Sequence, residues 1–191
     1  MVQEYSEVPT NEIPEFIFAG IGKNWYICQK VVKTFISMGI HAQALDCGHA
    51  LHGDLGMLSG DSKKVLFFLS RSGTTKELVE VAKVVKMLKT KGHFKNLRTV
   101  GFSLNKNLPN TDLYDDVIVP NDASILENVC EFDDRNLVPS FSIDITQLVL
   151  DFFGVLIYEA HQDLVDNYVY HHLSGANGEK LGGPKILADL K

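Results

Sequence analysis

Val65-Leu66-Phe67-Phe68-Leu69-Ser70-Arg71-Ser72-Gly73-Thr74-Thr75-Lys76-Glu77-Leu78 joins a strand, a turn and the start of a helix in one stretch. The opening residues are apolar without polar alternation, the pattern of a strand covered on both faces. Ser70 to Thr75 is dense in hydroxyls and contains one glycine. From Thr75 onward Leu78, Val81, Ala82, Val85 and Leu88 keep helical spacing, and Lys91-Gly92 ends the helix. In an open parallel sheet, ligands bind where the carboxyl ends of strands lead into helix N-termini, and Ser70 to Thr75 occupies that place.

The same alternation continues on both sides. Glu15 to Gly20 predicts a first buried strand, and Ile27, Val31, Phe35 and Met38 predict a helix that stops at Gly39. His41 to Leu45 predicts a second strand, Leu97 to Phe102 a fourth and Asp116 to Val119 a fifth. Strands and helices in this order predict an α/β fold with a parallel sheet and helices on both faces. Residues 120 to 140 are acidic and irregular, and Ile143 to Ala160 carries the last helical pattern. Without a repeat, a low-complexity block or a linker, the chain reads as one domain over 1–191. Its core covers about 15–181, between short polar tails.

Bulk properties exclude several classes. With 191 residues, 45% hydrophobic and 22% charged, the chain has the composition of a globular domain. A net charge of -6 and a pI near 5.6 argue against a nucleic-acid surface. Met1 to Pro14 lacks the basic and apolar regions of an export signal. Leu148 to Ala160, the most apolar late segment, is broken by Asp151 and is shorter than a membrane span, so it reads as a core helix. Cys28, Cys47 and Cys130 fit neither a disulfide framework nor a zinc pattern. A cytoplasmic protein with no membrane partner is expected.

A helix N-terminus offers unpaired N–H groups and about half a positive charge, which attract a phosphate without a basic residue. The hydroxyls of Ser70, Ser72 and Thr75 add donors, and Gly73 lets the backbone approach closely. Such residues also commonly cap helices. One cap suffices for a helix, so the density of hydroxyls favours phosphate binding. Gly20-x-Gly22-Lys23 lacks the third glycine of a dinucleotide motif, because Trp25 stands there. It is not a P-loop either, since Ile17 and Asn24 occupy two required positions. Lys23 sits at a strand end facing the same crevice, where an ammonium can hold a phosphate or a sugar oxyanion, although a solvated surface lysine is the alternative.

These segments resemble the sugar isomerase (SIS) domain family, and within it the arabinose-5-phosphate isomerases. Phe18 to Lys23 is similar to the family's first loop, and Ala50-Leu51-His52-Gly53-Asp54-Leu55-Gly56-Met57 to its A-L-H-G-D-L-G-M signature. Ser70 to Leu78 resembles the S-x-S-G-x-T-x-E-L phosphate loop, and His172 to Gly178 the late H-P-A-G-A-L-G motif. The resemblance implies a flavodoxin-like three-layer αβα sandwich with a five-stranded parallel sheet. It also implies a homodimer or homotetramer with shared active sites. Carried over by position, the resemblance implies that Gly22, Ser70, Ser72, Gly73 and Thr75 bind the phosphate and sugar, while Lys23, His52, Glu77, Glu131 and His172 surround the sugar as its catalytic residues. Cys47-Gly48-His49 stands where P-A-E is usual, Pro139-Ser140-Phe141-Ser142-Ile143 where P-T-S-S-T is usual, and Leu173-Ser174 alters the late motif. The usual N-terminal helical segment and the pair of regulatory CBS domains are expected to be missing.

The reaction the resemblance implies is aldose–ketose interconversion of a sugar phosphate such as arabinose 5-phosphate and ribulose 5-phosphate, through an enediol. It needs two acid–base groups and no cofactor. A glutamate suits the carbon-bound proton, a histidine suits ring opening or oxygen protonation, and Lys23 suits the enediolate charge. Glu77 is also a residue that a helix dipole favours regardless of chemistry. His49 and His52 stand three residues apart, a spacing that suits a metal, yet no further ligand cluster lies near and no metal is expected. Two other readings compete. One is a non-catalytic phosphosugar sensor or regulatory protein, and the other is a structural oligomerisation domain.

Overall fold

The computed structural model describes residues 1–119, 138 and 140–189. Its centre is a five-stranded sheet of β1 (Glu15–Gly20), β2 (Ala42–Asp46), β3 (Lys64–Leu69), β4 (Leu97–Phe102) and β5 (Asp116–Ile118). Every pairing is parallel, in the order β2-β1-β3-β4-β5. From β1 the chain winds to one edge, and from β3 it winds to the other. The change of direction falls between β1 and β3, where an open α/β sheet has its crevice.

Alternate residues of β1 and β3 feed two separate cores, which is why neither strand shows polar alternation. Phe16, Phe18, Val65, Phe67 and Leu69 face α2 (Lys23–Ser37) and α4 (Phe141–Ala160), with Phe35, Leu150, Phe153 and Ile157. Phe18 stacks on Phe67 at 5.3 Å between ring centroids, and Phe16 meets Phe35 edge-on at 5.4 Å. Such pairs add about 0.5–1.5 kcal/mol beyond the area they bury. On the opposite face Ile17, Ala19, Leu66 and Phe68 meet Leu78, Val81 and Val85 of α3 (Lys76–Thr90), together with Ala50 and Leu58. The expected αβα layering is therefore present.

Several expectations need revision. Helix α4 begins at Phe141, and its twenty residues make it long and apolar enough, by length and composition, to cross a membrane. It nevertheless lays Leu150, Phe153 and Ile157 on the sheet and α2 while leaving Leu148 and Phe152 exposed. The ends of the described chain are not plain polar tails. Near the start, α1 (Val2–Ser6) buries Tyr5. After α4 come α5 (Gln162–His171), α6 (Gly175–Leu181) and α7 (Gly183–Ala188), so Gly182 separates two short helices and Gly183-Pro184 opens the second. His161 ties this part down through Val8, whose carbonyl lies 2.9 Å from its Nε2. Cys28 and Cys47 are buried free thiols.

Candidate functional site

Ser70 to Thr75 leaves the carboxyl end of β3 beside the switch point, and its hydroxyls organise it from within. The buried Ser70 Oγ accepts the Gly73 N–H at 3.0 Å and lies 3.1 Å from Thr75 Oγ1. The Ser72 Oγ accepts the Thr74 N–H at 3.2 Å and lies 2.8 Å from Thr74 Oγ1. Thr75 is the N-cap residue of α3, yet it makes no side-chain capping bond. The capping explanation for these hydroxyls is thus not the one the geometry supports, and the N–H groups of the first turn of α3 have no side-chain cap. An uncapped helix end flanked by a hydroxyl-rich turn can hold a dianion.

A neighbouring loop grips this turn from outside. Ser103 Oγ donates to the Arg71 carbonyl at 2.9 Å, and Asn105 Nδ2 donates to the Ser72 carbonyl at 3.2 Å. The Asn105 N–H returns to Ser103 Oγ at 3.0 Å. Gly73 has φ +73°, and a Cβ there would lie 2.1 Å from Leu108 Cδ1. Only glycine fits both that backbone and that contact. Ser103 and Asn105 were not singled out in the sequence; a serine and an asparagine just past a strand end are the only hint.

Gly22 precedes α2 with φ 60°, and α2 also begins without a side-chain cap. Lys23 is its first residue and is exposed. The next residue, Asn24, donates from Nδ2 to the Leu69 carbonyl at 3.1 Å, stitching this loop to the residue before Ser70. Lys23 and the cradle therefore flank the β1–β3 crevice.

The loop after β2 joins them. Cys47 N–H donates to the Gly20 carbonyl at 2.9 Å. Asp46 closes β2, with Oδ1 accepting the Gly48 N–H at 2.9 Å and Oδ2 3.0 Å from His49 Nδ1. Burial, followed by the negative charges of Asp46 and Glu77, pushes the Cys47 thiol up to about 12. Glu77 is exposed in the first turn of α3, and His52 is exposed at the end of a single turn, Ala50–His52. Asp46 was overlooked in the sequence, although an Asp at a strand end three residues before a His is a recognisable turn signal.

His172 is not brought to this place within one chain. It follows α5, whose His171 packs on Gly39 at the far end of α2, within 2.8 Å of where a Cβ would stand. The fifteen residues of α2 separate that point from Lys23, about 22 Å of helix at 1.5 Å per residue. The His172 ring stacks on Tyr168 at 4.0 Å, and its Nδ1 lies 3.0 Å from the Tyr168 carbonyl. Gly178 lets α6 pack on this turn, since a Cβ would meet the His172 carbonyl at 2.4 Å. Glu131 lies outside the described residues.

No family model matches the chain. Over 165 residues, 86% of the chain, it is 27% identical to the arabinose 5-phosphate isomerase KdsD of Pseudomonas aeruginosa. The match covers 46% of that protein, so the chain spans a little under half the length of the curated relatives it matches. Among solved structures, a Bacteroides fragilis protein assigned to the phosphosugar isomerases of capsule formation superposes with a TM-score of 0.71 at 22% identity. That match covers 90% of this chain and 84% of the other. An Escherichia coli CFT073 protein solved in complex with arabinose 5-phosphate gives 0.62 at 24% identity, covering 83% and 82%. The two structures share the fold. The loop motifs, the β2-β1-β3-β4-β5 parallel sheet and these relatives together make the chain similar to the sugar isomerase (SIS) domain family, on the side of KdsD.

Proposed function

We propose that the chain is a single isomerase domain that interconverts an aldose phosphate and a ketose phosphate, of the arabinose 5-phosphate and ribulose 5-phosphate type. The observation that carries this is the uncapped start of α3 at the end of Ser70 to Thr75, beside the β1–β3 crevice. The relative named arabinose 5-phosphate isomerase supports the substrate class. In this reading the phosphate sits on Gly22, Ser70, Ser72, Gly73 and Thr75. Glu77 or Glu131 moves the carbon-bound proton, His52 or His172 assists ring opening, and Lys23 stabilises the enediolate. Positioned acid–base groups of this kind contribute about 10²–10⁴ each in rate.

The distance between His172 and the cradle implies that His172 serves the site of a second copy. The outer face of α4, where Leu148 and Phe152 are exposed, offers an apolar surface for association. The same distance favours the second reading: a chain that stays a monomer would bind sugar phosphates and not turn them over. Incubating the protein with ribulose 5-phosphate in heavy water, with NMR of the C1 and C2 protons, tests both. Exchange with aldose formation is expected. Binding by thermal shift without exchange leaves the sensor reading, and absence of both defeats the phosphosugar assignment.

A further inference from the structure

The loop after β2 holds an acid–base pair that no feature of the proposed reaction has used. Asp46 closes β2 opposite Gly20 of β1 in the sheet register. Its carboxylate is fixed at one oxygen by the Gly48 N–H, and the other oxygen lies 3.0 Å from His49 Nδ1. A carboxylate on Nδ1 selects the imidazole tautomer, leaves Nε2 as the working nitrogen and stabilises the imidazolium when it forms. The His49 side chain is 75% exposed, against 22% for Asp46, so the pair presents the imidazole to solvent and keeps the carboxylate back. Gly48 stands beside Ile21 of the first loop, with a Cβ position 3.7 Å from Ile21 Cδ1. The pair therefore borders the same loop as Lys23.

The span of the sheet fits a sugar phosphate across these groups. The cradle follows β3 and the pair follows β2, with β1 between them. Two strand spacings are about 10 Å. In an extended pentose 5-phosphate the phosphorus and C1 are separated by about six bonds of roughly 1.5 Å each, close to 8 Å once their zigzag is allowed for. A phosphate seated after β3 with its sugar laid toward β2 would thus bring C1 and C2 within reach of the ends of β1 and β2, the side on which His49 stands.

We propose that His49, oriented by Asp46, is the catalytic residue that carries the proton between the two sugar oxygens; this rests on the isomerase reading above. The imidazolium Nε2–H passes its proton to O1 of the open-chain aldose while the C2-bound proton leaves to a carboxylate, giving the enediol. Neutral Nε2 then takes the proton from O2 as C2=O forms and C1 receives the carbon-bound proton. The imidazolium is regenerated, and no oxidant or reductant is consumed. Asp46 acts through His49 and is a positioning residue.

The test uses the whole chain with ribulose 5-phosphate, following kcat, KM, thermal shift and C–H exchange in heavy water. His49→Asn is expected to lower kcat by at least about 100-fold while the thermal shift by the substrate persists. Added imidazole should restore part of the lost rate, which a structural role would not allow. Asp46→Asn should lower kcat by about 10-fold with little change in KM. A His49→Asn protein that stays within about three-fold of the wild-type kcat overturns the assignment. So does one that loses substrate binding together with turnover. In both cases wild-type exchange leaves the isomerase reading standing. A wild-type protein that neither binds nor exchanges breaks that reading itself, and the role of His49 with it.

Discussion

The loop after β3 and the loop after β2 leave the same carboxyl end of the sheet, yet they are held in opposite ways. Ser70 and Gly73 are buried, and the turn between them is closed by its own hydroxyls and clasped by Ser103, Asn105 and Leu108. The β2 loop keeps Cys47 and Ala50 buried but leaves Gly48, His49 and His52 exposed, with Asp46 as the tether. A phosphate is the same in every sugar phosphate, so its anchor can be built rigidly from backbone and hydroxyls. The carbon skeleton differs from one sugar to the next, and the residues proposed to act on it stand on the looser rim. The departures at Cys47-Gly48-His49 fall on that rim, whereas the cradle keeps its full pattern.

The sharpest way to break this contrast is Gly73→Ala. The left-handed backbone costs about 1–2 kcal/mol for a non-glycine residue, and overpacking against Leu108 and Pro109 adds about 1–3. Denaturant unfolding should show a loss of roughly 2–5 kcal/mol, and thermal shift by inorganic phosphate should vanish. A variant of unchanged stability would mean that the loop is free to move aside. Ser70→Ala comes next. It leaves the buried Gly73 N–H without its acceptor, which costs about 1–3 kcal/mol, and it should weaken phosphate binding in parallel.

On the β2 side the buried element is Cys47, and its effect appears with pH. Burial, Asp46 and Glu77 push the folded thiol up to about 12, whereas an exposed thiol titrates near about 8.5. The folded value is the higher one. The contribution is therefore fully present below the unfolded value and is lost as pH rises from there toward the folded one. Between about pH 9 and 11 Cys47 should cost about 1.4 kcal/mol of stability per pH unit. Cys28, pushed up by burial first and then by Cys47 and Asp46, acts in the same direction. Stability curves of Cys47→Ala and the wild type should therefore converge as pH rises, and parallel curves would show that Cys47 is open to solvent.

The fold was legible because its strands are short apolar runs and its helices carry clean stripes. Val65 to Leu69 and the spacing from Leu78 to Leu88 suffice to place β3 and α3. Within the site, Ser70 to Thr75 was legible for the same local reason, as a turn between two clear elements. Asp46, Ser103 and Asn105 were not, because their parts depend on which strand lies beside which. The place of His172 was the least legible. Its motif reads as local, but whether it meets the cradle depends on where α5 docks, and Leu164 docks it beside Gly39. The length of α4 was underestimated because Phe141 to Ser142 mixes apolar and polar residues ahead of the stripe.

Gly48→Ala is the smallest perturbation and the most discriminating. Gly48 does not have the left-handed backbone of Gly73, so alanine meets no conformational penalty there. Its added Cβ would lie 3.2 Å from Asp46 Oδ1, a contact the carboxylate must relieve by shifting a few tenths of an ångström. On the exposed rim such a shift should cost less than about 0.5 kcal/mol of stability. If the β2 loop carries the chemistry and the β3 loop carries the phosphate, the displaced carboxylate should lower kcat several-fold and leave phosphate binding as it was. Steady-state kinetics with ribulose 5-phosphate beside thermal shift with inorganic phosphate separates the two. Equal losses in both would show that the two loops move as one body, and the division between a fixed anchor and a looser rim would then have to be given up.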